Sequence, residues 1–391
     1  MAIVEALVLL YFVYVVCYTF VFSLAGLFYS NPSPASKGNK KFAVFIPAYK
    51  EDSVIVGVAQ KALSQSYPNE FYDVIIIADS LQPETVAKLK QLPIRVVEVK
   101  FESSTKVKSL NHALGQVPDS YDFAVILDAD NVMLPDFLER MNAAHQAGHG
   151  ALQGQRLPKN KNSTLSFLDG LSEAINNHIY RQGTTALGLS ASINGSGVSF
   201  DFATFKRLLS GMESIGGFDR ELELLLLENK TKVIYYKDAK VLDEKVEKTA
   251  VFENQRKRWI SSQYHYLAKY FKRGVAALLR GNFSYFNSSV LRNIQLPRLL
   301  NLGLITVMPI ALYFVRGYLF FGYAVWPSLF ALMVCAMFFA IPGEYYSKDM
   351  LKAIVKLPGL FLRMLLLMFK LKGANKKFIH TPHGVTSESQ K

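Results

Sequence analysis

Two aspartates one residue apart are the first feature of this sequence that could do chemistry. Residues 124–127 are apolar and run directly into Asp128, and Asp130 follows after a single alanine. Two carboxylates this close repel each other unless a cation or a shared proton lies between them. Carboxylate oxygens suit hard cations, which keep several waters and bind substrate phosphates. We therefore predict a Mg²⁺ or Mn²⁺ site at Asp128 and Asp130 that holds a diphosphate.

The same letters also fit a second class of enzyme. Phosphatases of the haloacid dehalogenase type carry a hydrophobic strand followed by Asp-x-Asp, in which the first aspartate is a nucleophile. Residues 128–132, DADNV, match that pattern as well. The short motif alone leaves both chemistries open.

The elements around these aspartates predict an α/β fold with a mixed, mostly parallel sheet. Continuous apolar runs typical of strands buried on both faces alternate with helical patterns between residues 41 and 148. Ligands of such sheets bind beyond the carboxyl ends of the strands. Tyr49, Glu51 and Asp79 follow two other strands, so we expect them beside Asp128 and Asp130. Tyr49 would stack on a base, and Asp79 would hydrogen-bond a ribose or base.

Further polar residues lie between positions 195 and 259. Gly195-Ser196-Gly197 is a turn where a substrate could approach the backbone closely. The run QRKRW brings together an amide, guanidiniums that bind phosphate, and an indole that offers a flat face to a sugar. The alternative is a basic juxtamembrane helix whose tryptophan marks the interface.

Taken together, these motifs resemble those of membrane-integrated family-2 glycosyltransferases, the group that holds cellulose and hyaluronan synthases. That family has a spaced Asp, Asp-x-Asp, Thr-Glu-Asp and Gln-x-x-Arg-Trp series. Here Asp79 takes the first place, Asp128 and Asp130 the second, and residues 255–259 the last. The resemblance implies a Rossmann-like type A glycosyltransferase fold, and it leaves no role for a phosphatase because that class has no use for QRKRW.

The resemblance also implies roles for the matching residues: a general base at Glu221; transition-state groups at Asp130 and Arg258; donor binding at Asp79, Lys106, Asn111, Asp128 and Arg256; and acceptor binding at Gln255 and Trp259. The strand-end positions of Tyr49 and Glu51 add them to the donor-binding residues, and the turn adds Gly195, Ser196 and Gly197 to the acceptor-binding residues. Glu221 stands where the family has aspartate, so Asp219 and Glu223 remain rivals. Residues 378–384 resemble the gating loop of cellulose synthases, which adds Thr381 and His383 to the donor-binding set.

Apolar segments at both ends of the chain predict a membrane protein. Residues 6–29 carry no charge and would form a helix about 36 Å long, enough to cross a bilayer. Residues 299–315 and 317–343 are separated only by Arg316 and predict a membrane hairpin. Residues 349–371 have basic residues on both flanks, which favours an interfacial helix over a crossing one. The positive-inside rule puts residues 31–298 in the cytoplasm, beneath a plasma (inner) membrane.

The predicted organisation follows from these segments. Its parts are a transmembrane helix (1–30), a linker (31–40), a cytoplasmic glycosyltransferase domain (41–270), amphipathic interfacial helices (271–298), a transmembrane hairpin (299–343), an interfacial or transmembrane helix (344–373), and a cytoplasmic tail with the gating loop (374–391). The net charge of +13 is explained by anionic lipid and a nucleotide substrate, so we do not expect nucleic acid as a partner.

The expected reaction is an inverting transfer from a nucleotide sugar, with a UDP-sugar as the first candidate. The leading acceptor is a growing polysaccharide, and three spans are few for an export channel, so an oligomer or export partner would be needed. The alternative is transfer of one sugar to a lipid or short glycan. A third interpretation is a scaffold without activity, whose basic domain binds anionic lipid or nucleic acid.

Overall fold

The computed structural model describes residues 2–32, 38–214 and 216–371. Its centre is one eight-stranded sheet with the order β3-β2-β1-β4-β7-β6-β8-β5. The strands are β1 (Phe42–Tyr49), β2 (Tyr72–Asp79), β3 (Arg95–Val99), β4 (Phe123–Ile126), β5 (Val132–Met133), β6 (Ala151–Pro158), β7 (Val198–Asp201) and β8 (Val233–Asp243).

The sheet is mixed, as the sequence predicts. Strands β1 to β4 pair in parallel with one another, and β6 pairs in parallel with β8. Strand β7 runs antiparallel to both β4 and β6, and β5 runs antiparallel to β8. The α/β prediction is therefore confirmed, with the antiparallel pairs confined to the side of the sheet that runs from β4 to β5.

Alternate residues of the central strands enter two separate cores, one on each face of the sheet. Phe45 and Ile77 belong to one core, while Ile46 and Ile76 belong to the other. Side chains alternate between the two faces of a strand, so a strand covered on both faces needs an uninterrupted apolar run. This is why these strands read as continuous hydrophobic segments.

Fifteen α-helices cover the sheet or lie beyond it in the described part of the chain. They are α1 (Ala2–Leu27), α2 (Ile55–Ala62), α3 (Pro83–Lys90), α4 (Lys106–Leu114), α5 (Phe137–Gln146), α6 (Thr164–Asn177), α7 (Thr184–Ala186), α8 (Phe202–Ser210), α9 (Phe218–Glu228), α10 (Thr249–Leu279), α11 (Phe283–Phe286), α12 (Arg292–Ile294), α13 (Arg298–Tyr313), α14 (Val325–Ala340) and α15 (Lys348–Met368). A π-helical segment, His178–Gly183, links α6 to α7.

The N-terminal helix α1 packs against α14 and the π-helical segment. A Cβ at Gly183 would lie 2.1 Å from the carbonyl oxygen of Phe22, so only glycine permits this approach. The ring Nε2 of His178 is 2.8 Å from the carbonyl oxygen of Ser23. Helix α1 is therefore seated directly on the segment that links α6 to α7.

Length and apolar composition single out α1 as a candidate membrane span in the described residues, with a mean hydropathy of 2.3 over its best window. The pair Phe283–Ile294 and Arg298–Tyr313 passes the same criterion only as one segment bent by 60°. Helix α14 has 16 residues, or about 24 Å, which is shorter than a bilayer core. Core helices of soluble proteins and signal sequences share these properties, so composition does not by itself establish a span.

The predicted hairpin corresponds to α13 and α14, but the segment between them is longer than expected. Residues 314–324 hold only a short 3₁₀ turn, Arg316–Tyr318. The backbone N–H groups of Phe320 and Phe321 donate to the carboxylate of Glu5, at 2.8 and 3.1 Å. The expected boundary at residue 270 lies within α10, which continues as one helix to Leu279.

Candidate functional site

Polar side chains from three neighbouring strands meet at one edge of the sheet. Tyr49 and Asp79 are paired residues at the ends of β1 and β2, and Asp128 follows β4 on the other side of β1. Together with Glu51 and Asp130 they line one cavity of about 1060 Å³. The strand ends thus converge where the sequence predicts.

Asp79 is fixed by hydroxyl groups. Its side chain is almost fully buried, and Oδ1 accepts hydrogen bonds from Ser80 (3.0 Å) and Ser104 (3.1 Å). The hydroxyl of Ser109 donates to Oδ2 at 3.3 Å. A carboxylate held by short side chains at the cavity wall is suited to orient a polar ligand group.

The Asp128 carboxylate faces two cations. Nζ of Lys106 lies 2.5 Å from its Oδ1, and a guanidinium nitrogen of Arg156 lies 3.8 Å from Oδ2. Lys106 also donates to the carbonyl oxygen of Gly195 at 2.8 Å. Asp130 is 4% exposed, and its Oδ1 accepts from the amide of Asn131 at 3.1 Å.

The donor set at this edge fits a divalent cation that takes most of its ligands from water and substrate. Asp128 and Asp130 offer hard oxygen atoms into a cavity. No group of three or more His, Cys, Asp or Glu side chains in residues 2–32, 38–214 and 216–371 is arranged to hold a metal. A Mg²⁺ or Mn²⁺ ion with only two carboxylate ligands is the usual arrangement for an ion that binds substrate phosphates.

Arg156 belongs to a buried network of charges behind Asp128. Its guanidinium lies 3.2 Å from Glu173 and 3.8 Å from Asp243. Arg181 binds the other carboxylate oxygen of Glu173 at 2.9 Å. Burial opposes ionisation of Glu173, but these guanidiniums hold the pKa of its carboxyl well below the ordinary value. The network therefore stays charged and fixes Arg156 against Asp128.

The three acidic residues at the start of α9 point in different directions. Asp219 lines the cavity and lies beside Gly195. The carboxylate of Glu221 accepts from Ser214, Lys269 and Tyr270 and is not among the residues that line the cavity.

Glu223 is buried, and both of its oxygens accept from Arg292 at 2.9 Å. The carboxylate of Glu221, which the sequence predicts as the base, is engaged with α10 and does not line the cavity.

The pKa values of Asp219 and Glu221 are shifted in opposite directions. Burial raises the pKa of Asp219, with opposing effects from Arg220 and Lys106. Burial would raise the pKa of Glu221 too, but hydrogen bonds from Lys269, Ser214 and Tyr270 outweigh it and lower that pKa. A base with a raised pKa accepts a proton more readily, so Asp219 is the better placed and the better tuned of the two.

The QRKRW run lies on α10, and four of its residues line the cavity: Gln255, Arg256, Arg258 and Trp259. Burial lowers the pKa of Arg258, and the nearby charges of Asp128 and Asp219 oppose that shift. Arg258 therefore stands near both carboxylates. The Oε1 atom of Gln255 is buried without a hydrogen-bond partner in the described residues, which leaves it available to a ligand.

Arg256 has a different environment from Arg258. Its guanidinium lies over the rings of Phe252 (4.7 Å) and Trp259 (4.6 Å). It also pairs with Asp169 of α6 at 2.5 Å. This arrangement ties α10 to α6 and holds the guanidinium of Arg256, which the sequence predicts as a donor-binding group, against the Trp259 ring.

Several predicted site residues lie outside the cavity wall. The side chain of Asn111 donates to the carbonyl oxygen of Leu209 at 2.9 Å. The hydroxyl of Ser196 accepts from the backbone N–H of Asp128 at 2.9 Å. Gly197 has a φ of +62° and packs on Val241. These residues support the site from behind, and Thr381 and His383 fall outside the described residues.

Sequence reasoning missed Arg156 and placed Asp219 behind Glu221. Arg156 lies in the strand segment ALQGQRLP, where no motif distinguishes it. Its place beside Asp128 depends on contacts with distant segments, which no local pattern signals.

Comparison with known proteins gives a family match over the α/β part of the chain and a structural match over most of its length. Residues 39–262 match the sequence model of a family described as "Glycosyltransferase like family 2". A mannosyltransferase of Pyrobaculum calidifontis, PcManGT, solved in complex with GDP-Man and Mn²⁺, is 16% identical with a TM-score of 0.56, over 86% of this chain and 97% of that chain.

Two further structures are more distant. A fragment of S. aureus TarS in complex with UDP-GlcNAc is 13% identical with a TM-score of 0.42, over 86% of this chain and 91% of that chain. Glucosyl-3-phosphoglycerate synthase of Mycobacterium tuberculosis, solved with Mn²⁺ and UDP, is 12% identical with a TM-score of 0.39, over 57% and 78%. No curated protein sequence matches the chain significantly.

Proposed function

Because the chain belongs to the family-2-like glycosyltransferases, we propose that it transfers a sugar from a nucleotide-sugar donor to a hydroxyl group of a glycan acceptor at a membrane. The observation that carries this proposal is the single cavity that Asp79, Asp128, Asp130, Asp219 and Arg258 share. It combines a polar rim for a nucleoside diphosphate with a carboxylate on the facing helix.

The donor would bind along the strand ends. Tyr49 and Asp79 would contact the nucleoside, and Lys106 and Arg258 would meet the diphosphate oxygens. Asp128 and Asp130 would hold a Mg²⁺ or Mn²⁺ ion, which when bound offsets the charge that builds on the leaving diphosphate. PcManGT, which shares the fold, was solved with GDP-Man and Mn²⁺. A UDP-sugar is therefore one candidate donor and a GDP-sugar another.

Asp219 would act as the general base. It would accept the proton of the acceptor hydroxyl as that oxygen attacks the anomeric carbon, and the nucleoside diphosphate would leave on the opposite side. A single displacement of this kind inverts the configuration at the anomeric carbon. Gln255 and Trp259 would hold the acceptor sugar, one through its unpaired amide oxygen and one through its ring face.

A membrane location is part of the proposal. Helix α1 carries no charge after Glu5 and is seated on the domain, and apolar side chains such as Leu7 and Leu27 are exposed on it. Exposed apolar residues of this number mark a surface that contacts other molecules. With α1 as a span, the positive-inside rule puts the catalytic domain in the cytoplasm under the inner membrane.

The test uses the purified full-length protein and a panel of labelled nucleotide sugars, each with Mn²⁺, with Mg²⁺ or with a chelator. We expect metal-dependent release of nucleoside diphosphate from one of these donors, and loss of that release in Asp130→Ala. A protein that turns over no nucleotide sugar under any of these conditions would contradict the proposal and favour the scaffold interpretation.

Product length distinguishes the two acceptor classes. A ladder of labelled products would support extension of a growing polysaccharide, which the QRKRW run favours. A single short product would support one transfer per acceptor. The expectation of an oligomer or export partner applies to the first outcome alone.

A further inference from the structure

The cavity is at the upper end of the usual size range and is elongated. Ligand pockets commonly measure about 300–1,000 Å³, and this one has about 1060 Å³. It extends from the strand ends into the space between α13, α14 and α15. We name that part the helical groove and define it by Leu302, Ile305, Met333, Met337, Ile354 and Leu357.

The chemistry of the helical groove differs from that of the strand ends. Among the described residues that line it from position 299 onward, none is charged, and the two with hydroxyl groups are Thr306 and Tyr346. Both hydroxyls donate to backbone carbonyls, at 2.7 Å (Thr306 to Leu302) and 3.3 Å (Tyr346 to Phe338). A sugar chain would lose hydrogen bonds to water here and gain none, so the groove suits an apolar ligand.

The helical groove also opens on the surface of the protein. Val334, Phe338 and Leu351 line it, and they are 51%, 65% and 67% exposed. Outside the groove, Ile310 on α13 and Phe314 just after that helix are exposed as well. A groove whose mouth is rimmed by exposed apolar side chains allows a hydrocarbon chain to pass between the cavity and a surrounding bilayer.

Cationic groups stand where the helical groove meets the polar part of the cavity. All hydrogen bonds of the Arg298 side chain in the described part of the chain go to neutral acceptors on α6, at 2.9 to 3.0 Å. The side chain of Arg292 is 9% exposed; one terminal nitrogen pairs with Glu223, and the other is buried without a hydrogen-bond partner. Guanidinium groups without full anionic partners favour a phosphate ligand.

From these features we infer that the acceptor is a lipid-linked glycan. Its hydrocarbon chain lies in the helical groove, its phosphate meets Arg298 and Arg292, and its sugar hydroxyl reaches Asp219. The inference rests on the proposed glycosyl transfer and specifies its acceptor. In the reaction a bond forms between the acceptor oxygen and the anomeric carbon, the bond from that carbon to the diphosphate oxygen breaks, Asp219 takes the hydroxyl proton, and the nucleoside diphosphate leaves with the electron pair.

Two probes that share one head group test the chain. One is a sugar diphosphate carried on a long isoprenyl chain, and the other is the same sugar diphosphate as a methyl ester. Each is offered to the full-length protein in detergent, with the labelled donor that the nucleotide-sugar panel identifies. We expect transfer to the isoprenyl probe to be at least about tenfold faster at equal low concentration, because each buried methylene contributes to binding.

Two matched variants test whether the hydrocarbon chain of the acceptor lies in the helical groove. Val334→Trp narrows the helical groove, and Ile310→Trp adds the same ring to an exposed position outside it. We expect Val334→Trp to lower the ratio of isoprenyl to methyl transfer by about tenfold, and Ile310→Trp to leave that ratio as in the native chain. The ratio is internal to each preparation, so a partial loss of folded protein does not change it.

Arg298→Met tests the phosphate contact. We expect it to raise the KM for the isoprenyl probe without changing the KM for the donor, and we expect inorganic phosphate to compete poorly because it lacks the chain. Equal transfer to both probes, or an unchanged ratio in Val334→Trp, would overturn the inference while leaving glycosyl transfer intact. Absence of any donor turnover would instead overturn the proposed function.

Discussion

The two ends of the cavity are built in different ways. At the strand ends, charged groups are held by many short-range partners, as when three serine hydroxyls fix Asp79. In the helical groove the wall consists of apolar side chains from three helices. At its junction with the strand ends, Arg298 bonds only neutral acceptors among the described residues, and Arg292 has one buried nitrogen without a partner. The first end is preorganised for one charge distribution. The second sets no polar pattern and selects by shape and apolarity.

The comparison predicts that changes at the strand ends reduce transfer to every acceptor, whereas changes in the helical groove alter the preference among acceptors.

The largest effect is expected for Asp130→Ala. Loss of one of two carboxylate ligands should lower transfer by about a thousandfold or more, since a metal contributes several kcal/mol of charge stabilisation. Donor turnover measures it, and circular dichroism checks the fold. Turnover within tenfold of the native rate would remove the metal from the site.

Asp219→Asn is expected to lower kcat by at least about a hundredfold, the usual range for loss of a general base. The matched variant is Glu221→Gln, which should retain activity but unfold more readily, because a buried carboxylate with several donors is weakened. If Glu221→Gln lost activity while Asp219→Asn retained it, Glu221 would be the base.

The same residue gives a pH test with a defined sign. Burial raises the pKa of Asp219, so the base becomes protonated, and kcat falls, at a higher pH than for an ordinary aspartate. The folded state also binds this proton more tightly than the unfolded state, so ionisation of Asp219 costs stability as pH rises. Asp219→Asn should therefore show an equal or higher Tm than the native chain at neutral pH. A lower Tm would contradict that account.

Arg156→Met is expected to destabilise the protein by about 3 kcal/mol, because it leaves Glu173 and Asp243 as buried charges with fewer partners. The measurement is chemical denaturation. Arg363→Met is the control, since its pair with Glu253 is solvent-exposed and should be worth at most about 1 kcal/mol. Equal effects of the two variants would show that the network behind Asp128 is not structural.

Arg256→Lys is expected to have the smallest effect, a rise in the KM for acceptor that corresponds to about 1 kcal/mol of lost binding energy. Lysine keeps the charge beside Asp169 but loses the flat contact with Phe252 and Trp259. The KM for donor should not change. A rise in donor KM instead would restore Arg256 to the phosphate-binding role that the sequence suggested.

The strand-end half of the site could be predicted from the sequence because it depends on local patterns. Apolar runs locate the strands, and parallel strands bring their carboxyl ends to one edge, so Tyr49, Asp79 and Asp128 follow directly. The helical half depends on contacts between distant segments. The bonds from Phe320 and Phe321 to Glu5 join positions more than three hundred residues apart, and no local pattern announces them.

The placement of Glu221 shows the limit of motif alignment. Glu221 and Leu224 are three residues apart and share a face of α9. Leu224 packs on Tyr266 and Tyr270 of α10, and this carries Glu221 toward the same helix. Matching letters to a family pattern gives the position in the chain but not the direction of the side chain, which packing decides.

The close approach of Gly183 to Phe22 has a mechanical consequence. Because no side chain separates the two backbones, helix α1 is held rigidly against the π-helical segment and is not a flexible tether. One residue inserted into α1 on the N-terminal side of this contact would rotate the preceding part of the helix by about 100° relative to the domain. In the proposed membrane arrangement, this contact would set the position and orientation of the cavity mouth relative to the bilayer, although no residue of α1 lines the cavity.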